Sequence, residues 1–300
     1  GSEVYGGPYL DRIEYVDLGT DATAWLAGLE AQQVDMLHES IGEFIDVLDV
    51  LGYVKTEVIT GATILFRCNQ QAEIDGTPPY ADKRVRQALA LAVDNARCLE
   101  LGYSNRGVAA ENHHAAPIHP EYAKLSPLKP DPDAAKALMA KADMLDFEHE
   151  LISLDDDWHK DNADVVADQL RAAGFAVKRT TLPGTTYFED WNKYPFSTTH
   201  WIHRPLAVQV WALAYRTGEA WNEFGWANPD FDRLLEQALS IADADQRREL
   251  AAKLQALIQE EGVVIQPYWR ALYRHARNGV IGAPQHISFE HHHYKWGIEA

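Results

Sequence analysis

Phe196-Ser-Thr-Thr-His-Trp-Ile-His-Arg-Pro205 packs two histidines, a tryptophan and an arginine into one short run. Such side chains can hold a metal, move a proton, stack on a planar group or clasp an anion. His200 and His203 stand three apart, a spacing that suits two metal ligands on one helix face, but their neighbours read as a strand passing into a loop. No metal site is assigned there. The planar fork of Arg204 fits a carboxylate or phosphate through two parallel hydrogen bonds, and the plainer alternative is an ion pair with one of the 45 acidic residues. Trp201 either stacks on a ligand or fills core.

Three other groups could contribute to recognition. His113 and His114 lie in the Pro-, Gly- and His-rich run from Gly102 to Pro130, which is long for a connector and so a candidate for function. Trp211, Tyr215, Trp221, Asn222 and Trp226 crowd the segment that precedes Asn228, more aromatics than a turn requires. Tyr268, Trp269 and Arg270 close a short apolar strand. For each group the plain alternative is core packing or a solvated loop. His291-His-His293, read as strand, alternates between faces and is taken as surface.

Catalytic constellations are lacking. GxSxG, GxxxxGK[ST], HExxH, and GxGxxG opening a helix after a strand do not occur. Asp155-Asp-Asp157 follows a strand pattern and reads as a cap on the next element or as a solvated run rather than as an acid-base pair. The histidines have no nucleophile beside them, so an enzyme is not expected and no cofactor is assigned.

The elements that must position these residues alternate between strand and helix. Strand patterns cover Tyr9–Val16, Val34–Leu37, Tyr53–Thr60, Thr63–Asn69, His149–Leu154, Phe175–Thr180, Val263–Tyr268, Ala271–Arg274 and His286–His292. Helix patterns cover Ala22–Gln32, a segment after a Ser40/Glu43 capping box, one after Asp82, one after Asp131-Pro132, Asp161–Ala173, one after Asn228-Pro229, and Ala244–Glu261. The strand-helix-strand run from His149 to Thr180 predicts a parallel pair within an α/β fold.

With 300 residues and 46% hydrophobic content the chain can bury sizeable cores. Lys and Arg number 27 against 45 Asp and Glu, and the resulting charge of −18 repels a phosphate backbone, so nucleic acid is not expected as a partner. No apolar run is long enough to cross a membrane and no export signal opens the chain as given. Cys68 and Cys98 have no CxxC spacing; two buried thiols or one disulfide are both open.

Four stretches together resemble the later part of the extracellular solute-binding proteins of the dipeptide and oligopeptide class, family 5, which serve ABC importers. Asn69, Pro78-Pro79, Asp82 and Val85-Arg-Gln-Ala-Leu-Ala-Leu-Ala-Val-Asp94 carry it most specifically. Tyr9-Leu-Asp-Arg-Ile-Glu-Tyr15 with Val34-Asp35 is the second stretch. Asn228-Pro-Asp-Phe-Asp-Arg-Leu-Leu235, followed by Arg247, Leu250, Lys253 and Gln255, is the third, and Val263-Val-Ile-Gln-Pro-Tyr-Trp269 the fourth.

The resemblance implies a two-lobed periplasmic-binding-protein fold (type II, cluster C-like), with residues 1–62 in part of lobe one, 63–266 in a complete lobe two and 267–300 returning to lobe one. It implies a small-molecule solute, ABC permease subunits as partners, a periplasmic location, and a second chain or fragment that completes lobe one. It also implies ligand contacts at Trp201, His203, Arg204, His113, Trp221, Asn222, Tyr268, Trp269 and Arg270. Peptide-binding members of that class resemble this chain around Trp201 but carry an aspartate for the peptide ammonium where Arg204 stands. An arginine cannot receive an ammonium ion, so a carboxylate-bearing organic solute is expected. An ordinary peptide binder and a docking or sensory module without transport are the alternatives.

Overall fold

A computed structural model describes residues 8–19, 21–126 and 128–299. The chain divides into two compact units, Gly1–Thr60 with Ala271–Ala300, and Gly61–Arg270.

The elements in chain order are α1 (Ala22–Glu30), α2 (Phe44–Val50), β1 (Val54–Cys68), α3 (Lys83–Leu91), α4 (Asn95–Tyr103), β2 (Gly107–Ala109), α5 (Pro132–Lys141), β3 (Glu148–Leu154), α6 (Asp157–Ala172) and β4 (Ala176–Leu182). They continue with α7 (Gly184–Tyr187), β5 (Phe196–Trp201), α8 (Ala207–Ala214), α9 (Pro229–Leu239), α10 (Ala244–Glu261), β6 (Val264–Ile265), β7 (Tyr268–Ala276), β8 (Val280–Ile281) and β9 (Gly297–Ile298). The α/β reading holds.

In the first unit, Leu29, Leu37 and Leu48 form a small core with Trp25, Leu26, Val34 and Tyr53 against it. Ile45 packs on Ala271 and Tyr273. Leu37 N–H donates to His275 O at 2.9 Å and Ser40 N–H to Tyr273 O at 2.8 Å, which ties the early chain to the end of β7.

The sheet runs β2-β7-β1-β5-β3-β4, with β6 on β1. β3 pairs in parallel with β4 from Glu148↔Ala176 to Leu154↔Leu182, and in parallel with β5 at Ile152↔Ser197. The βαβ expectation is met, and the carboxyl ends of these three strands therefore lie along one edge. Helices α8 to α10 bury Trp211, Phe231, Leu235, Leu254 and Ile258 in one cluster with Phe224. Each such side chain contributes roughly 1.5–3 kcal/mol by leaving water.

Helix starts follow the capping signals. Asp82, Asp94, Asp131, Asp156, Asn228 and Asp243 each accept from a backbone N–H of the first turn. Asp156 is thus the cap expected of the acidic run, and it starts α6 earlier than the expected Asp161. Helix α4 escaped the sequence pattern although Asp94 marks its start.

Other expectations fail for identifiable reasons. Tyr9–Val16 is not a strand: Tyr9 and Tyr15 are exposed, and no ladder partner appears among the described residues. Val34–Leu37 contributes only a bridge, Met36 to Ala276. The Ser40/Glu43 box does not cap α2, because Glu43 makes no side-chain cap bond and Ser40 Oγ meets His275 Nδ1 at 2.9 Å instead.

The two strands expected on either side of Gly61 are one continuous β1. There glycine serves a close approach, for a Cβ would stand 3.0 Å from His203 Nδ1 and 3.1 Å from His119 Nε2. Pro267, which has no N–H for the ladder, separates β6 from β7, and β7 absorbs the piece expected at Ala271–Arg274. His286–His292 forms a turn rather than a strand, with Phe289 at φ 58°. Cys68 and Cys98 are free and buried, and desolvation first of all pushes each thiol up to about 12.

Candidate functional site

Residues leaving the carboxyl ends of β3, β4 and β5 converge on a recess of about 440 Å³ in the second unit. In open α/β sheets that edge is where ligands are bound. Leu154 ends β3 and Trp201 ends β5, while β4 leads through Pro183 into the short α7, which delivers Tyr187 and Phe188. Trp191, Thr199, His159, His200, Ile202, Arg204 and Trp221 complete the lining. The walls are mainly aromatic, and none of the described lining residues is acidic.

Trp201 is held from behind. Its indole N–H donates to Glu223 Oε1 at 3.0 Å, and its ring meets Trp221 edge-on at 5.7 Å between centroids. Trp221 itself is 47% exposed and stands as a wall open to solvent. Glu223 also lies 3.3 Å from Arg67 Nε, and both side chains are wholly buried. Desolvation outweighs the attraction of Arg67, so the Glu223 carboxyl lies above its usual value. Arg67 in turn faces the Trp191 ring at 5.5 Å.

Beside this wall runs a relay of side chains. Asp156 Oδ2 lies 2.7 Å from His159 Nδ1, and His159 Nε2 lies 3.1 Å from His200 Nδ1. The Asp156 carboxylate accepts a hydrogen bond from His159 Nδ1–H, and the opposite nitrogen of the same ring faces His200. Burial alone would raise Asp156, but hydrogen bonds from His159 prevail and hold it below its usual value. His200 is held below its usual value by desolvation first, then by His159 and Arg270, and stays neutral.

Arg204 is half-buried at the recess. Its Nε is shielded from solvent and meets no hydrogen-bond partner among the described residues, and no carboxylate there pairs with it. An N–H sealed from solvent without an acceptor gains one from an anion that enters the recess.

The remaining sequence candidates sit elsewhere. His203 is buried, accepts from Gly61 N–H at 3.1 Å and stacks on His119. His113 is wholly buried against Glu111 at 2.9 Å. His114, also buried, meets the Tyr215 hydroxyl at 3.2 Å. Asn222 spends its amide on Arg216 O and Trp226 O, at 2.9 and 2.7 Å. Tyr268 is buried between Trp158 Nε1 and Asn162, Trp269 lies against Tyr122 and His113, and Arg270 covers the Trp158 ring at 4.2 Å.

Of the candidates, then, only Trp201, Arg204 and Trp221 come together at the recess. Tyr187, Phe188, Trp191 and His159 were missed. His159 follows the predicted strand that ends at Leu154, and Tyr187 and Phe188 follow the one expected to end at Thr180; Trp191 carried no such signal.

This fold is shared with solute-binding proteins of known structure. Oligopeptide-binding AppA from Bacillus subtilis, solved with a nonapeptide, superposes with a TM-score of 0.81 at 18% identity, over 94% of this chain and 59% of that one. The murein tripeptide binding protein MppA of Escherichia coli gives 0.80 at 18% identity, over 92% and 56%.

The family model of bacterial extracellular solute-binding proteins, family 5, matches residues 4–222, and the chain belongs to that family. Its members bind solutes and are not enzymes. Dipeptide-binding protein DppE of Bacillus subtilis is 24% identical over 205 residues, 64% of this chain and 38% of the relative. YgiS of Escherichia coli, named a probable deoxycholate-binding periplasmic protein, is 26% identical over 308 residues, 92% of this chain and 52% of the relative. The chain therefore spans about half the length of these relatives or less.

Proposed function

We propose that the chain is part of the substrate-binding component of an ABC importer, that it acts outside the cytoplasm, and that it captures a small organic solute bearing a carboxylate. In this reading the first unit belongs to lobe one and the second is lobe two. The recess between α7, β5 and Trp221 carries the solute contacts that the second unit supplies.

The observation that carries the reading is Arg204, a half-buried guanidinium with no carboxylate partner among the described residues, in an aromatic recess whose described lining has no acid. Such a surface accepts an apolar or planar body on Trp201, Trp191 and Tyr187 and an anionic end on Arg204. The name of YgiS, a relative along most of this chain, refers to a ligand of that kind: deoxycholate is a carboxylate on an apolar body.

Binding of the full-length protein to a panel of carboxylates, their neutral amides, and di- to oligopeptides, read by calorimetry, tests this. A carboxylate should bind, and Arg204→Ala should weaken it about 10- to 100-fold, the loss of one or two charge-assisted hydrogen bonds. The amide should be weak in both proteins. Equal loss for acid and amide would remove Arg204 from anion recognition.

Peptide capture is the second reading, favoured by the names of DppE and AppA. It requires an acid from outside the recess to hold the ammonium. Binding of peptides with no response to organic acids would select it.

A further inference from the structure

Four histidines fall between residues 286 and 293, with Glu290 among them. Three of these side chains converge in the first unit: one ligand atom each from His286, Glu290 and His292 lies within 4.8 Å of the others.

A turn builds the convergence. Phe289 N–H donates to His286 O at 3.1 Å, and Phe289 itself sits at φ 58°, in the left-handed region that a bulky residue enters only at a cost. The turn brings the N–H groups of Ser288 and Glu290 to His286 Nδ1 at 3.2 and 3.3 Å. It also puts the Glu290 carboxylate 3.4 Å from His292 Nε2 and sets the His286 and His292 rings edge to face, 5.1 Å between centroids.

The chemistry of this set is specific. Ligands bound at about 2.0–2.1 Å in a tetrahedron stand about 3.3 Å from each other, a spacing the Glu290–His292 pair already has. Both amide bonds to His286 Nδ1 are long, so a cation that draws the His286 ring into the trio gives up only weak hydrogen bonds. Two imidazoles with one carboxylate favour zinc, nickel or copper over calcium and magnesium, which take oxygen sets. An ordinary exposed Glu–His pair would explain the 3.4 Å contact but gives His286 no part.

We propose that His286, Glu290 and His292 form a three-ligand site for a divalent transition-metal ion of the zinc class, with water in the remaining positions. Bound metal would staple the turn shut.

The test uses the full chain without an added polyhistidine tag, stripped by chelator, then titrated calorimetrically with zinc and followed by visible absorption with Co(II). One zinc per chain is expected at a dissociation constant of about 10 μM or tighter, with a Co(II) absorption band that zinc abolishes. His286→Ala and His292→Ala should each weaken binding at least about 10-fold and Glu290→Gln less, whereas His293→Ala, outside the trio, should not weaken it. None of the three residues is fully buried, so the variants are expected to fold, and circular dichroism verifies this. One-to-one binding that survives the double variant His286→Ala/His292→Ala, or binding only at millimolar zinc, overturns the proposal.

Discussion

At the scale of single residues, the buried pair of Arg67 and Glu223 sets the shape of the recess wall, because Glu223 holds the Trp201 indole and Arg67 faces Trp191. Pairs of this kind are costly to break from one side, since the partner is left charged in a medium that does not solvate it. Arg67→Met should lower unfolding free energy by about 3–5 kcal/mol at pH 7 in urea titration. The sign of its pH dependence follows from Glu223. A carboxyl whose folded value is raised takes a proton more readily in the folded state, so the loss in the variant should shrink as pH is lowered toward 5. A loss that grows on acidification would show that Glu223 is not the stranded charge.

At the scale of elements, Gly61 shows how a correct residue-level observation can mislead. Read as punctuation, it split β1 in two; in the structure it lets His203 and His119 lie against a continuous strand. Gly61→Ala should therefore destabilise the fold by about 1–3 kcal/mol, because the added carbon meets three neighbours at 3.0–3.2 Å in packed surroundings. A thermal midpoint unchanged within error would mean that the two imidazoles move aside freely. Helices were legible because caps and apolar spacing are local: α9 and α10 begin at the predicted Asn228 and Ala244. Strands were less so, since Tyr9–Val16 has the composition of a strand and no partner among the described residues, and pairing is not a local property. The recess was legible at β5, where the aromatic and the arginine share one run. Tyr187 and Trp191 reach it from another loop, and only the parallel register of β3, β4 and β5 brings the loops together.

At the scale of the whole molecule, several imidazoles are enclosed as neutral groups. Desolvation is the leading cause that pushes His114 down to about 3 and His119 and His149 to about 4. Unfolded, these histidines take up a proton near pH 6.5, whereas folded they do so only near 4 or below. As pH falls from about 6.5 to 4 the unfolded chain binds more protons, so stability declines, by about 1.4 kcal/mol per pH unit for each such histidine. Urea midpoints measured from pH 7.5 to 4.5 should fall steadily below pH 6.5 and stay level above it. A flat profile would mean that the histidines titrate alike in both states.

The position of Trp221 has an optical consequence. Of the nine tryptophans, Trp211 and Trp269 are sealed in cores, whereas Trp221 is nearly half exposed and stands in edge contact with Trp201. Water relaxes its excited state, and under the proposed function a solute entering the recess would dehydrate it. Occupancy of the recess is thus written into the colour of the protein's own ultraviolet emission, with no dye attached.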